Sequence, residues 1–348
     1  MDSEWTAPWG SDRFGRRMRD VKVEVMSNRL RILFKTLVTL GLLGFLVFRM
    51  DLSEFWQVLS SADWPLVLLA GLVYFSTVAP SIVRWRAILQ KFEIRTPLGK
   101  LSQICMIGYF FNMFLPSAIG GDFFRAYYLS KRENRGMSTT LTSTLVDRVS
   151  GLLALLVIGS VSVLVYPVQI KGQSLAPFLL LLVGLFVAGI VTLFHPGSHR
   201  LMGRLLHRFG LSRLEERFEL VYLGLTQLRG SLRAILIVVI ASLIVQFSVI
   251  VSMWLAALSI GIAAPFRLFL IFIPLVNLSV ALPVTINGMG LREAVYYLLF
   301  SQVGVPVETA VTLSVLNLVV MSMTAIPGGV AYSIYKKDTG FPAPELAN

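Results

Sequence analysis

The chain has 348 residues, 55% of them hydrophobic and 14% charged, with a mean hydropathy of +0.74 and a formal net charge of +12. A soluble domain carries about 25% charged residues, and here the apolar excess is gathered into runs such as Ile237–Ile262, long enough to cross a bilayer as a helix. This excludes a soluble enzyme, a disulfide-stapled scaffold and a disordered chain; the runs also lack the two-residue alternation of a membrane barrel, so the chain reads as an all-α polytopic membrane protein.

In chain order, residues 1–30 form a basic tail, and the apolar run Ile32–Phe48 reads as a retained first span. Leu52, Phe55, Trp56 and Leu59 recur at helical spacing beside Asp51 and Glu54, which predicts an amphipathic helix at the membrane surface. A second span covers Pro65–Val83 and ends at Arg84-Trp85-Arg86, read as an anchor whose arginines reach for the interface. Leu101–Leu115 is short and is interrupted by the string Leu115–Asp122. Spans follow at Ser150–Tyr166 and Leu175–Phe194, then a basic loop and a second amphipathic stretch over Leu211–Leu228. Ile235–Leu258 is a further span, Phe266–Leu282 is again interrupted by Leu282–Gly290, and Val307–Tyr332 is the last, before a short tail over 336–348. The expectation is about six full spans plus two broken helical hairpins, in one membrane domain over 31–335.

Charge sets the orientation. With both termini in the cytoplasm and each interrupted stretch returning to its own side, 26 of the 31 lysines and arginines fall in cytoplasmic segments. Three (Arg49, Lys171 and Arg267) fall outside, and Arg148 and Arg292 sit at membrane depth. This bias obeys the positive-inside rule, so the net charge belongs to membrane loops and no nucleic-acid partner is expected. The single cysteine, Cys105, allows no intrachain disulfide, and the irregularly spaced His195, His199 and His207 suit no metal site.

The two interruptions match each other. Each begins Leu-Pro (Pro116, Pro283), has Gly five residues after the Pro (Gly121, Gly288) and Arg nine after it (Arg125, Arg292), and continues with Ala and Tyr-Tyr-Leu. Gly120 and Gly290 stand beside them, and an Asn precedes each Pro, Asn112 and Asn277. In the charge-derived topology the first hairpin enters from the cytoplasm and the second from outside, so units of about 65–166 and 235–332 are inverted copies. Secondary transporters share this plan, and paired Gly/Pro-interrupted segments point to their binding site. Proline blocks a helix and glycine permits a sharp turn; freed backbone groups must then be buried or line a wet cavity. The restarting helices direct their N-terminal N–H groups inward, where anions bind.

Charged residues at membrane depth are costly. Candidates for a lipid headgroup or other substrate are Arg125, Arg148, Arg292, Asp122, Asp147, Glu293 and Asn112. Arginine suits phosphate through its planar fork; Glu293 or Asp122 would suit a cationic headgroup or a proton. Pairs such as Asp122–Arg148 or Asp147–Arg125 would neutralise charge. Asp147 and Arg148 fall at the cytoplasmic end of the span beginning near Ser150, and Arg292 and Glu293, projecting about 100° apart on a helix, need not bind each other. Asn287-Gly288-Met289-Gly290 has no strand before it and is no dinucleotide loop. No catalytic motif, cofactor site or metal site is expected.

These residues (Asn112, Leu115-Pro116, Gly120-Gly121-Asp122, Arg125, Asp147-Arg148, Leu282-Pro283, Gly288, Gly290 and Arg292-Glu293) resemble the lysylphosphatidylglycerol synthase transmembrane-region family, also called the flippase-like domain family, over about residues 30–335. The resemblance implies a multi-pass domain in the bacterial cytoplasmic membrane. In the multiple peptide resistance factors such a domain is joined to a soluble aminoacyl-transferase and moves the aminoacylated lipid to the outer leaflet. This chain, ending at Asn348, is expected to be a stand-alone member without that enzyme, and Met289 departs from the small residue expected there. The leading expectation is translocation of a polar-headed, anionic or aminoacylated lipid, with membrane lipids as partners. The alternatives are an ion-coupled transporter of a soluble anion and a non-transporting partner of a separate lipid-modifying enzyme.

Overall fold

The computed structural model describes residues 33–115, 120–166, 169–170, 173–174, 184, 220, 222–224, 226–228, 230–281 and 284–339. The tail over 1–30, the span over 175–194, the three histidines, most of the second amphipathic stretch, Pro116, Pro283 and the chain beyond 339 lie outside the described residues. Among those described the fold is helical, apart from a two-residue antiparallel pairing of Gln169–Ile170 with Gln173–Ser174.

Helix α1 (Leu33–Arg49) turns by 88° into α2 (Leu52–Ser60). Asp51 makes the corner: its side chain accepts the N–H groups of Ser53 and Glu54 as a helix cap, and its own N–H donates to Glu308 Oε1 at 3.1 Å. The capping bonds favour the charged carboxylate and hold the Asp51 pKa below its ordinary value, the Ser53 hydroxyl contributing most. Helices α3 (Trp64–Ser76) and α4 (Val78–Lys91) form one long apolar segment, capped by Asp63, which accepts from the Leu66 N–H, with Pro65 in the first turn. A hairpin follows, α5 (Leu98–Phe114) and α6 (Gly120–Glu133), then the long α7 (Met137–Val165). The second half holds α8 (Leu232–Ser259), α9 (Phe266–Ala281), α10 (Leu291–Phe300) and α11 (Val307–Thr339). Among the described residues, four segments are long and apolar enough to cross a bilayer (Trp64–Lys91, Met137–Val165, Leu232–Ser259 and Val307–Lys336), and the bent α1–α2 pair makes up to five. With α1 to α11 assembled in this way, the chain is a multi-pass membrane protein.

Two boundaries differ from the sequence expectation. Helix α7 begins at Met137 rather than near Ser150. The run Ser138–Thr144 reads as a polar loop, but its hydroxyls fold back onto the preceding turn: Thr142 Oγ1 donates to Ser138 O at 2.9 Å, Ser143 Oγ to Thr140 O at 2.7 Å and Thr144 Oγ1 to Leu141 O at 2.8 Å. Satisfied in this way, they are buried in a helix. The second span likewise runs past Val83 to Lys91, carrying Arg84 and Trp85 into the protein interior.

The packing places both hairpins against long helices. Helix α11 packs on α5, α3 and α10; α7 packs on α9 and α6; α8 packs on α3, α4, α7 and α9. Apolar side chains such as Leu236, Val239, Ile240, Ile244 and Phe247 on α8 remain exposed, which is the expected face toward lipid. The core gathers on the inner side around Phe269, Phe272, Tyr296, Phe300 and Leu313.

The turn before α10 depends on left-handed backbone. Asn287, Gly288 and Gly290 have φ of 52°, 76° and 78°, a region favouring glycine. Helix α1 braces this turn: Thr39 Oγ1 accepts the Ile286 N–H at 3.1 Å, and a Cβ on Gly290 would lie 3.0 Å from Thr39 O. Thr39→Val removes the acceptor and keeps the shape. It is expected to cost about 1–2 kcal/mol, read as a lower melting temperature of the purified protein in detergent; an unchanged melting temperature would show the brace to be dispensable.

Candidate functional site

A cavity of about 480 Å³ opens between the two hairpins. From the first half it is lined by Tyr74, Thr77, Ser81 and Arg84 of α3–α4, by Tyr109 and Asn112 of α5, by Asp122 and Arg125 of α6, and by Asp147, Arg148 and Gly151 of α7. From the second half come Gln246, Asn277, Asn287, Met289, Arg292 and Asn317. The helical period explains the wall: Tyr74, Thr77, Ser81 and Arg84 are three and four residues apart, so they form one polar stripe on an otherwise apolar segment.

The first-hairpin side holds a five-residue ionic network. Asp147 is the pivot, 2% exposed and ten residues into α7, about 15 Å along its axis. Its Oδ1 accepts Arg84 Nε at 2.6 Å and its Oδ2 accepts Arg125 Nη1 at 3.2 Å. Asp122 accepts Arg148 Nη1 at 2.6 Å and Arg125 Nη1 at 3.5 Å. Both pairings expected from the sequence, Asp122–Arg148 and Asp147–Arg125, are present. The Arg125 guanidinium also lies 4.1 Å over the ring of Trp85, whose Nε1 donates to Ser143 Oγ at 3.2 Å. Among the described residues, three arginines against two carboxylates leave one positive charge. Arg148 is the most open of the three, its side chain 29% exposed against 9% and 11% for Arg84 and Arg125, so an anion in the cavity meets it first.

Arg84 was missed. Beside Trp85 and Arg86 it reads as an interfacial anchor, yet it is 7% exposed, bound to Asp147 and donating to Ser242 Oγ at 3.3 Å. The polar stripe above it was the available signal. Asp147 and Arg148 are correspondingly deep within α7 rather than at a span end, because the hydroxyl-rich segment before them is helical.

The second-hairpin side is neutral. Arg292 and Glu293, which the helical wheel sets apart, bind each other at 3.0 Å because the long arginine folds back along the helix. Ser314 of α11 accepts from Arg292 Nε at 3.2 Å and donates to Glu293 Oε1 at 2.9 Å. Glu293 Oε2 accepts the Gly290 N–H at 2.6 Å and so caps its own helix. In the first hairpin Asn112 Oδ1 accepts the Gly121 N–H at 3.0 Å. Side chains therefore occupy these two helix-start donors, and attraction of an anion falls to the arginines.

Of the residues singled out by sequence, Asn112, Asp122, Arg125, Asp147, Arg148 and Arg292 meet at the cavity. Glu293 stands behind Arg292, and Gly120, Gly121, Gly288 and Gly290 shape the backbone without lining it. Gln246, Asn287 and Asn317 were not foreseen. Among the described residues no group of three His, Cys, Asp or Glu is placed to hold a metal ion.

Two packed broken hairpins enclosing a charged cavity define a multi-pass membrane protein with a buried polar site. The family model for the lysylphosphatidylglycerol synthase TM region matches residues 32–328, and the chain belongs to that family. It is 21% identical to the UPF0104 membrane protein MJ1595 of Methanocaldococcus jannaschii over 333 residues, 91% of this chain and 98% of that protein. It is 31% identical to the glycosyltransferase AglD of Haloferax volcanii over 130 residues, 37% of this chain; that match spans only 21% of AglD. No solved structure matches.

Proposed function

We propose that the chain translocates a lipid with a polar, anionic or aminoacylated headgroup across the bacterial cytoplasmic membrane. The observation that carries this reading is one cavity, lined by both hairpins, with four arginines in its wall. The headgroup enters the cavity, its phosphate meets Arg148 and then Arg125, and its acyl chains stay in lipid. The charge bias supports cytoplasmic termini.

An inverted repeat is part of the proposal, and the packing supports it. Exchanging α3–α4, α5, α6 and α7 for α8, α9, α10 and α11 maps the helix contacts onto each other: α5 on α6 corresponds to α9 on α10, α6 on α7 to α10 on α11, and α5 on α11 to α9 on α7. Rocking of one unit against the other would expose the cavity to each leaflet in turn. The sequence holds no nucleotide-binding motif, so movement is passive or ion-coupled, and the chain acts as a carrier rather than an enzyme. The partial match to a glycosyltransferase favours a second reading, a membrane partner of a separate lipid-modifying enzyme.

The test is a leaflet-resolved lipid assay on the purified full chain in liposomes containing phosphatidylglycerol and lysyl-phosphatidylglycerol. Wild type is expected to move lipid between leaflets. Arg148→Ala, which alters the most open cation, is expected to fall about tenfold or more with melting temperature retained, and the double change Arg125→Ala/Arg292→Ala to abolish movement. No movement by folded wild type, or full activity in both variants, would sink the proposal.

A further inference from the structure

The cavity carries a second chemical signature beside its arginines. Five neutral carboxamides line it: Asn112 on α5, Gln246 on α8, Asn277 on α9, Asn287 in the turn before α10 and Asn317 on α11. Asn277 and Asn287 are half-buried, and their side chains have no hydrogen-bond partner among the described residues. The others are partly used. Asn112 Oδ1 accepts the Gly121 N–H, Gln246 Nε2 donates to Gly151 O at 3.2 Å and Asn317 Nδ2 donates to Tyr296 Oη at 3.4 Å. What remains toward the cavity is a mixed set of amide donors and acceptors.

The carboxylates near the cavity are spoken for. Asp122 holds Arg148 and Arg125, Asp147 holds Arg84 and Arg125, and Glu293 holds Arg292, Ser314 and the Gly290 N–H. An ammonium has donors only and is strongly hydrated; the free amide oxygens can accept from it, but no described carboxylate is left to offset its charge beside the arginines. The ring of Trp85 is covered by Arg125. Among the described residues, four arginines against three carboxylates leave the site with a surplus positive charge. A hydroxyl both donates and accepts, as a carboxamide does, and a phosphate ester supplies the matching negative charge.

We infer that the headgroup is a phosphate ester of a polyol or sugar: phosphate on Arg148 and Arg125, hydroxyls on Asn277, Asn287 and the neighbouring amides, and a cationic aminoacyl group excluded. This rests on the reading of the cavity as a lipid path and narrows the substrate class within it.

The test is equilibrium binding to the purified full chain in detergent, with dioctanoyl phosphatidylinositol, phosphatidylmethanol and lysyl-phosphatidylglycerol as probes and inositol 1-phosphate as competitor. Phosphatidylinositol is expected to bind about tenfold tighter than either other lipid, the scale of a few added hydrogen bonds. Asn277→Leu/Asn287→Gly, which removes both amides and keeps a residue at 287 that tolerates the left-handed backbone, is expected to bring that advantage over phosphatidylmethanol below about threefold. Asn277→Asp, nearly isosteric, guards against misfolding of the double variant and is expected to shift preference toward lysyl-phosphatidylglycerol. Lysyl-phosphatidylglycerol binding as tightly as phosphatidylinositol, no advantage over phosphatidylmethanol, no binding at all, or an unmoved preference in Asn277→Asp would each overturn the inference. Selective binding of phosphatidylinositol without movement in liposomes would support the headgroup class and remove the translocator reading. Competition by inositol 1-phosphate at the affinity of the lipid would support the class and point to a soluble substrate.

Discussion

Asp147→Ala is expected to destabilise the protein by about 3–5 kcal/mol, the scale for breaking a buried ion pair from one side. The carboxylate neutralises two arginines that have little access to water, Arg84 at 2.6 Å and Arg125 at 3.2 Å. Without it the summed charge of these residues rises from +1 to +2, Arg125 is left with Asp122 as its carboxylate, and among the described residues Arg84 keeps the Ser242 hydroxyl. Asp147→Asn preserves shape and an acceptor oxygen and is expected to be milder. The decisive comparison is a double-mutant cycle: Arg84→Gln placed with Asp147→Ala is expected to recover part of the loss, because it removes one of the stranded cations. Thermal unfolding of the four proteins in detergent measures the coupling. Strictly additive losses would mean that Arg84 and Asp147 do not act as a pair, and a wild-type melting temperature for Asp147→Ala would contradict the network altogether.

What could be read in the sequence, and what could not, divides along physical lines. The broken helices were legible because Pro, Gly and Arg recur at matched spacing, and an arginine inside an apolar stretch is too costly to be incidental. The pairs Asp122–Arg148 and Asp147–Arg125 were legible because a buried charge needs a partner. Arg84 was not, because its local neighbours, Trp85 and Arg86, imitate an interface anchor; only its register with Tyr74, Thr77 and Ser81 gives its position away. The depth of Asp147 was hidden by Ser138–Thr144, whose hydroxyls look solvated in composition and are satisfied by their own helix in fact. The contact of Thr39 with Ile286 spans 247 positions, and no local pattern encodes it. The amide wall was legible only in part: Asn112 and Asn277 stood out before each Pro, but Gln246, Asn287 and Asn317 are ordinary residues of their own segments, and only packing makes the five one surface.

Gly121→Ala is expected to cut the proposed lipid movement at least about tenfold while changing a single hydrogen to a methyl. A Cβ there would fall 2.1 Å from the carbonyl oxygen of Gly108 and 2.5 Å from Asn112 Cγ. The first obstacle is backbone, so no rotamer change relieves it, and α5 and α6 must separate by more than about 1 Å to reach ordinary contact. The separation weakens the bond from the Gly121 N–H to Asn112, frees the start of α6, and moves Asp122 and Arg125 off the network built on Asp147. Gly108 reinforces the constraint from the facing helix, since its own Cβ would meet Arg125 Cγ at 2.4 Å. Overpacking of this kind costs about 1–3 kcal/mol, with about 1 kcal/mol more for the hydrogen bond. The protein is therefore expected to melt several degrees lower, and its lipid movement in liposomes to fall by at least about tenfold through the displaced arginine. Gly99→Ala is the control, on the same α5 but with nothing within 4 Å of the added carbon, and it is expected to leave both readouts unchanged. If Gly121→Ala moves lipid as wild type does, the close approach of α5 and α6 is not what holds Arg125 at the cavity.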